Sequence, residues 1–220
     1  MEEHYVRPEI KARYYTLGEL GSDTKEIWIV CHGYGQLAQY FIKKFEPISS
    51  SDIFIVAPEG LSKFYLEGFS GKIGATWMTR ENRLIEIENY IAYLNSIYSK
   101  ITSIIDPSVK IVVFGFSQGV ATTCRWVLHQ NHRIDHLVMW AGEFPADIDP
   151  LKASDKLSRL NSTIVYGTKD PFLSDSRIQG QLERISALNH KPGLIEFDGA
   201  HDIPAHALVN LKQRLMSDSL

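Results

Sequence analysis

The stretch Ile111-Val112-Val113-Phe114-Gly115-Phe116-Ser117-Gln118-Gly119-Val120 constrains the fold more than any other part of the chain. Four consecutive apolar residues, three of them β-branched, describe a strand buried on both faces. Beyond Ser117, apolar groups recur at 120, 121, 124, 127 and 128, the spacing of a helix with a buried face. The strand therefore passes into the helix through a turn no longer than G-F-S-Q-G. Glycines on both sides of the serine let backbone crowd around so tight a bend. A G-x-S-x-G pattern arises readily by chance, and serine is also a favoured helix N-cap. The strand before it and the helix after it favour instead a serine hydroxyl held out at a strand end, the context of a nucleophile elbow.

Short apolar runs of the same kind recur at 27–31, 53–57, 136–142, 162–167 and 194–197, and an edge strand is expected within 11–20. Helical patterns separate them. Leu37, Phe41 and Phe45 mark one helix, and Leu84, Ile87, Ile91, Leu94, Tyr98 and Ile101 mark a long one over 81–105. Two more are expected at 175–188 and 204–215. Strands alternating with helices predict an α/β fold with a mostly parallel central sheet and helices on both faces. The whole chain, residues 1–220, reads as one domain.

Residues 59–80 break the alternation. They carry Phe64, Tyr65, Phe69, Trp77 and Met78 among four glycines and show no periodicity. Connections of this length are usually functional or disordered, and the aromatics argue against disorder. The segment follows a strand end, so it is expected to border the functional cleft. Phe69, Trp77 and Met78 are its candidate substrate-pocket residues.

Composition excludes several classes of function. A net charge of −3 and a pI near 6.2 give no electrostatic footprint for nucleic acid. No apolar run approaches the ~18 residues of a membrane helix, so membrane insertion is not expected. The start, Met1-Glu2-Glu3-His4, lacks the apolar core of a signal peptide. Cys31 and Cys124 lie in apolar surroundings and read as buried reduced thiols, which suits a cytoplasmic location.

A serine hydroxyl needs a base to take its proton, and the base needs an orienting acid. In a parallel sheet, ligands bind at the C-terminal edge, so those groups must also sit at strand ends. His201 follows the last strand and is the expected base, with His206 as its rival. His32 also ends a strand, but reads as a buried, hydrogen-bonded imidazole supporting its loop. For the acid, Asp170 closes the strand 162–167, while Glu143 and Asp175 are alternatives. The order Ser, Asp, His favours Asp170. Backbone N–H groups of Gln118 and Tyr34 are the expected donors to an oxyanion. In that role neither residue's side chain is needed.

His32-Gly33-Tyr34-Gly35, Gly115-Phe116-Ser117-Gln118-Gly119, Gly167-Thr168-Lys169-Asp170-Pro171 and Gly199-Ala200-His201, in that order, resemble the α/β-hydrolase superfamily. More narrowly they resemble its carboxylesterase/phospholipase group, which includes acyl-protein thioesterases. The resemblance implies an α/β-hydrolase fold without a large lid domain, a Ser117–His201–Asp170 triad and an oxyanion hole from Tyr34 and Gln118. It also implies a small-molecule ester or thioester substrate and no cofactor or metal. Two positions depart from the group's pattern. Gln36 stands where an acidic residue is usual, and Trp77-Met78-Thr79 replaces Trp, an aromatic and Asp. The expected activity is hydrolysis of carboxylic esters of short or medium acyl chains through an acyl-enzyme. A thioesterase or lysophospholipase with the same machinery, or a ligand-binding receptor on the same fold, are the alternatives.

Overall fold

The computed structural model describes residues 1–217. Its main sheet has seven strands: β1 (Tyr14–Leu17), β2 (Glu26–Cys31), β3 (Ile53–Pro58), β6 (Lys110–Phe116), β7 (His136–Trp140), β8 (Asn161–Gly167) and β9 (Gly193–Phe197). The missing numbers belong to a separate hairpin, β4 (Ser62–Glu67) and β5 (Ser70–Thr76). The order across the sheet is β1-β3-β2-β6-β7-β8-β9, and only β1 runs antiparallel to its neighbour. Burial explains the sequence pattern. Every residue of β3 is buried, as are all but the first of β2, β6, β7 and β8.

Strand order reverses direction between β2 and β6, so the connections leaving these two strands diverge to opposite faces. After β2 come α1 (Ala38–Phe41) and a 3-10 helix (Ile42–Ile48), which pack with the last helix, α6 (Ala205–Ser217). On the other face α2 (Arg83–Thr102), α3 (Gln118–His129) and α4 (Pro150–Leu157) pack together. The remaining helix, α5 (Asp175–Ser186), connects β8 to β9. The crevice between diverging connections is where such sheets bind ligands.

The structure corrects the sequence reading in three places. Residues 59–80 are not an aperiodic loop: most of them form the β4–β5 hairpin, turning at Gly68. Much of the hairpin is exposed, including Tyr65, Leu66, Phe69 and Ile73, so it shows no alternation of buried and exposed residues to read. The helix expected from Leu37, Phe41 and Phe45 is four α-helical residues followed by 3-10 turns. Pro47, inside it, has no N–H to continue an α-helix. Helix α4 had no legible signal, being short and mixed in polarity.

Helix α3 packs directly on the end of β2, and Gly119 sets the distance. A methyl group there would stand 2.2 Å from the Cys31 carbonyl oxygen, closer than atoms can approach. Gly119→Ala is therefore expected to cost about 1–3 kcal/mol, read as a lower urea midpoint at unchanged m. Gly21→Ala, with nothing within 4 Å of the added carbon, is the control and is expected to be neutral.

Candidate active site

Ser117 joins β6 to α3 with φ +53° and ψ −115°, outside the regions that L-residues favour. Such strain costs of order 1–3 kcal/mol and persists only where the surroundings enforce it. Here the Ser117 N–H donates to the Trp140 carbonyl at 2.9 Å, pinning the turn to β7. Across the crevice, the loop after β2 comes so close that a methyl group on Gly33 would stand 3.2 Å from the Ser117 Cβ. Ser117 itself is half-buried.

Asp170 and His201 are brought together on the same edge. His201 Nδ1 lies 2.7 Å from Asp170 Oδ2. The carboxylate can only accept, so Nδ1 carries a proton, and in the neutral ring this tautomer leaves the lone pair on Nε2. The Asp170 side chain is wholly buried, and its second oxygen accepts from the Phe172 N–H at 2.8 Å. A buried charge needs such partners. The two loops that meet here are laced by backbone: the Lys169 N–H donates to Gly199 O at 2.9 Å, and the Thr168 N–H to Phe197 O at 2.9 Å. Lys169 and Asp198 add an ion pair at 2.5 Å. The His201 ring packs between Phe116, at 4.9 Å between centroids, and Phe172, at 4.8 Å. Phe116 immediately precedes Ser117. The rival residues lie elsewhere: His206 is exposed on α6, Asp175 is exposed in the first turn of α5, and Glu143 pairs with Arg177 at 2.6 Å.

The loop carrying Tyr34 is held from below. His32 is buried, its Nδ1–H donating to Gly33 O at 2.7 Å and its Nε2 accepting from the Gly60 N–H at 2.9 Å. Gln36 substitutes well for an acidic residue here, since its Oε1 accepts from the Gly33 N–H at 2.9 Å. Glu59, also buried, accepts from Arg13 at 2.7 Å and from the Ala38 N–H at 3.3 Å. Burial pushes its carboxyl pKa up, but the Arg13 guanidinium and the Lys63 ammonium together outweigh this and leave it below the ordinary value. Tyr34 is exposed and stacks on Phe64 of the hairpin at 5.0 Å.

Two pocket candidates are placed elsewhere than expected. Trp77 is a core residue, 2% exposed: its ring lies 5.0 Å from that of His32, and its indole N–H donates to His32 O at 2.8 Å. Phe69 stands at the hairpin tip, 98% exposed, with no wall to join. Met78 alone of the three is half-buried beside the elbow. Its neighbourhood shows a role that the sequence hid. The Gln118 side chain donates to Met78 O and to Thr76 Oγ1, both at 2.9 Å, and accepts from the Trp77 N–H at 3.2 Å. The end of β5 is thereby tied to the elbow by a side chain. Among the described residues, no group of three or more His, Cys, Asp or Glu is arranged to hold a metal.

The phospholipase/carboxylesterase family model matches residues 19–217. The chain belongs to the phospholipase/carboxylesterase family. As a member it is a hydrolase, and its backbone has the α/β-hydrolase fold. The solved structure of esterase PE8 superposes with a TM-score of 0.70 at 20% identity, covering 94% of this chain and 99% of that one. Acyl-protein thioesterase 2 of Zea mays gives 0.70 at 16% identity, covering 94% and 99%. A phospholipase/carboxylesterase of Dyadobacter fermentans gives 0.70 at 17%, covering 94% and 97%. A search of curated proteins by sequence returns no match.

In this carboxylesterase-family chain, His32 links the site to stability. Burial pulls its pKa from 6.5 down to about 4, the bond to Gly33 O only partly opposing this. The folded imidazole stays neutral while the unfolded one takes up a proton. Stability is therefore full above pH 6.5 and falls as the pH drops from there toward 4. By linkage, the loss at pH 5 is about 2 kcal/mol. Urea unfolding at pH 7.5 and 5.0 measures it. His32→Gln is expected to be less stable at pH 7.5 but to lose less between the two pH values; equal losses would remove His32 as the source.

Proposed function

We propose that this chain is a serine esterase that cleaves carboxylic esters through an acyl-enzyme. One observation carries the proposal: the 2.7 Å Asp170–His201 bond, packed on the residue preceding a serine whose φ is +53°. In this reading the Ser117 Oγ attacks the ester carbonyl while His201 Nε2 takes the hydroxyl proton. Asp170 stabilises the imidazolium and holds the ring in its tautomer. The Tyr34 and Gln118 N–H groups donate to the oxyanion. Collapse of that intermediate expels the alcohol, which leaves with the proton from His201. A water molecule, deprotonated in turn by His201, attacks the acyl carbon and releases the carboxylic acid and free Ser117.

The loop geometry supports these donor roles. The hydrogen bonds that shape the 33–36 turn use the N–H groups of Gly33, Gly35 and Gln36 and leave that of Tyr34 out. Gln118 N–H, at the first position of α3, has no intrahelical acceptor. Met78, half-buried and tied to the elbow through its carbonyl, is the remaining candidate for the acyl pocket, and in this reading short or medium acyl chains are the substrate. The enzyme would act as one domain on small-molecule esters. No described helix is long and apolar enough to cross a membrane. Burial raises the pKa of both free thiols, that of Cys124 to about 12, so neither is reactive. Buried reduced thiols fit a cytoplasmic location.

Hydrolysis of p-nitrophenyl esters separates turnover from mere binding. Ser117→Ala is expected to lower kcat by up to ~10⁶ with folding intact. His201→Ala combined with Ser117→Ala should lose hardly more than either alone, because the two act as one unit. Losses that multiply, or a His206→Ala change more damaging than His201→Ala, would overturn the assignment. A fluorophosphonate adduct mapped to any residue other than Ser117 would do the same.

A further inference from the structure

Helix α3 leaves the elbow with Gln118 and, two turns on, carries Arg125 on the same side. The Arg125 side chain is only 10% exposed and is clamped on Asp147, with Nη2 at 2.8 Å and Nε at 3.1 Å. Arg83, from the first turn of α2, donates to Oδ2 of the same carboxylate at 2.6 Å, an oxygen it shares with Arg125 Nε. One carboxylate thus joins α2, α3 and the segment between β7 and α4. Burial pushes the Asp147 carboxyl up, but the bonds from both guanidiniums outweigh this and bring it down to about 2.

The position of this network gives it a consequence for substrate. Arg125 Nη1 lies 3.9 Å from the Met78 sulfur, and Met78 O is bonded to the Gln118 side chain. Moving away from Ser117 along this side, one meets Met78 and then the guanidinium. Arg125 and Asp147 also line a cavity of about 590 Å³ between α2 and α3. Much of its remaining wall is apolar, from Leu84, Ile87, Ile91, Leu128 and Ile148. Hydrocarbon-compatible space therefore lies behind the ion pair, and an apolar side chain lies in front of it.

We propose that the Arg83–Asp147–Arg125 network is a polar stop that ends the acyl site at Met78, closes it off from the cavity, and so sets the acyl-chain length. The proposal rests on the esterase reading above. An alkyl chain reaching past Met78 must press against paired charges and strip their remaining water, offering no hydrogen bond in return. Up to the stop, each methylene improves kcat/KM a few-fold. Beyond it, the gain ends.

The test is a p-nitrophenyl ester series from acetate to palmitate, each rate normalised to acetate. Wild type is expected to peak at short or medium chains. Met78→Ala lengthens the optimum by no more than the side chain removed, because the ion pair still stands. Arg125→Leu combined with Asp147→Leu joins site to cavity, and the decanoate-to-acetate ratio of kcat/KM should rise at least ~10-fold. A folded double variant with the wild-type profile overturns the stop, as does a wild-type optimum at palmitate. Should the double variant not fold, inactivation of wild type by alkyl fluorophosphonates of rising length decides. The rate should fall beyond medium chains, and a rise through hexadecyl overturns the proposal. Absence of both ester turnover and Ser117 labelling in wild type overturns the esterase reading and the stop with it.

Discussion

A helix pressed against the end of a neighbouring strand holds the site together. Because Gly119 has no side chain, α3 begins against Cys31, and the chain must reverse within one residue to get there. That residue is Ser117, and its positive φ is the geometric result. An isolated chain would relax such a bend. Here β7 holds its N–H, Gly33 closes in from β2, and α3 is buried along most of its length. Strain is stable where packing leaves no alternative, which places the serine on rigid elements rather than on a mobile loop.

The Asp170–His201 pair solves a different problem, that of putting a charge in the interior. Its carboxylate is withdrawn from water entirely, and both of its oxygens are engaged. The loops that carry the pair come from adjacent strands, β8 and β9, and are bonded to one another through their backbones. Movement of one loop drags the other, so the imidazole orientation is a property of the sheet edge. Aromatic rings from Phe116 and Phe172 restrict the remaining freedom of the ring.

On the opposite side, neutral groups do the same work. His32, Trp77 and Gln118 form a small polar framework under the loop carrying Tyr34 and the end of β5, and apart from the bond of His32 to its neighbour Gly33 its hydrogen bonds join groups distant in sequence. The charged framework of Arg83, Asp147 and Arg125 lies one layer further out. The carboxylate beside His201, that of Asp170, is by contrast wholly withdrawn from solvent.

The sequence by itself determined the α/β architecture and marked the Asp170 and His201 that the sheet brings together. Strands buried on both faces have to be continuous apolar runs, and helices on a sheet have to be apolar on one side, so both leave a local record. The elbow likewise needs its glycines within a five-residue window, and Asp170 and His201 were legible because each lies within one short turn of a strand end. What only the tertiary structure decided was everything carried by side chains reaching across the fold. Trp77 could be read as a pocket wall until its indole was found bonded to His32, 45 residues away. Gln118 offered only a backbone group until its side chain met Met78, 40 residues away. Nothing local marked Arg125 and Asp147 as partners. A strand or a helix is specified by neighbours along the chain, whereas such contacts exist only once strand order has brought distant segments to the same edge of the sheet.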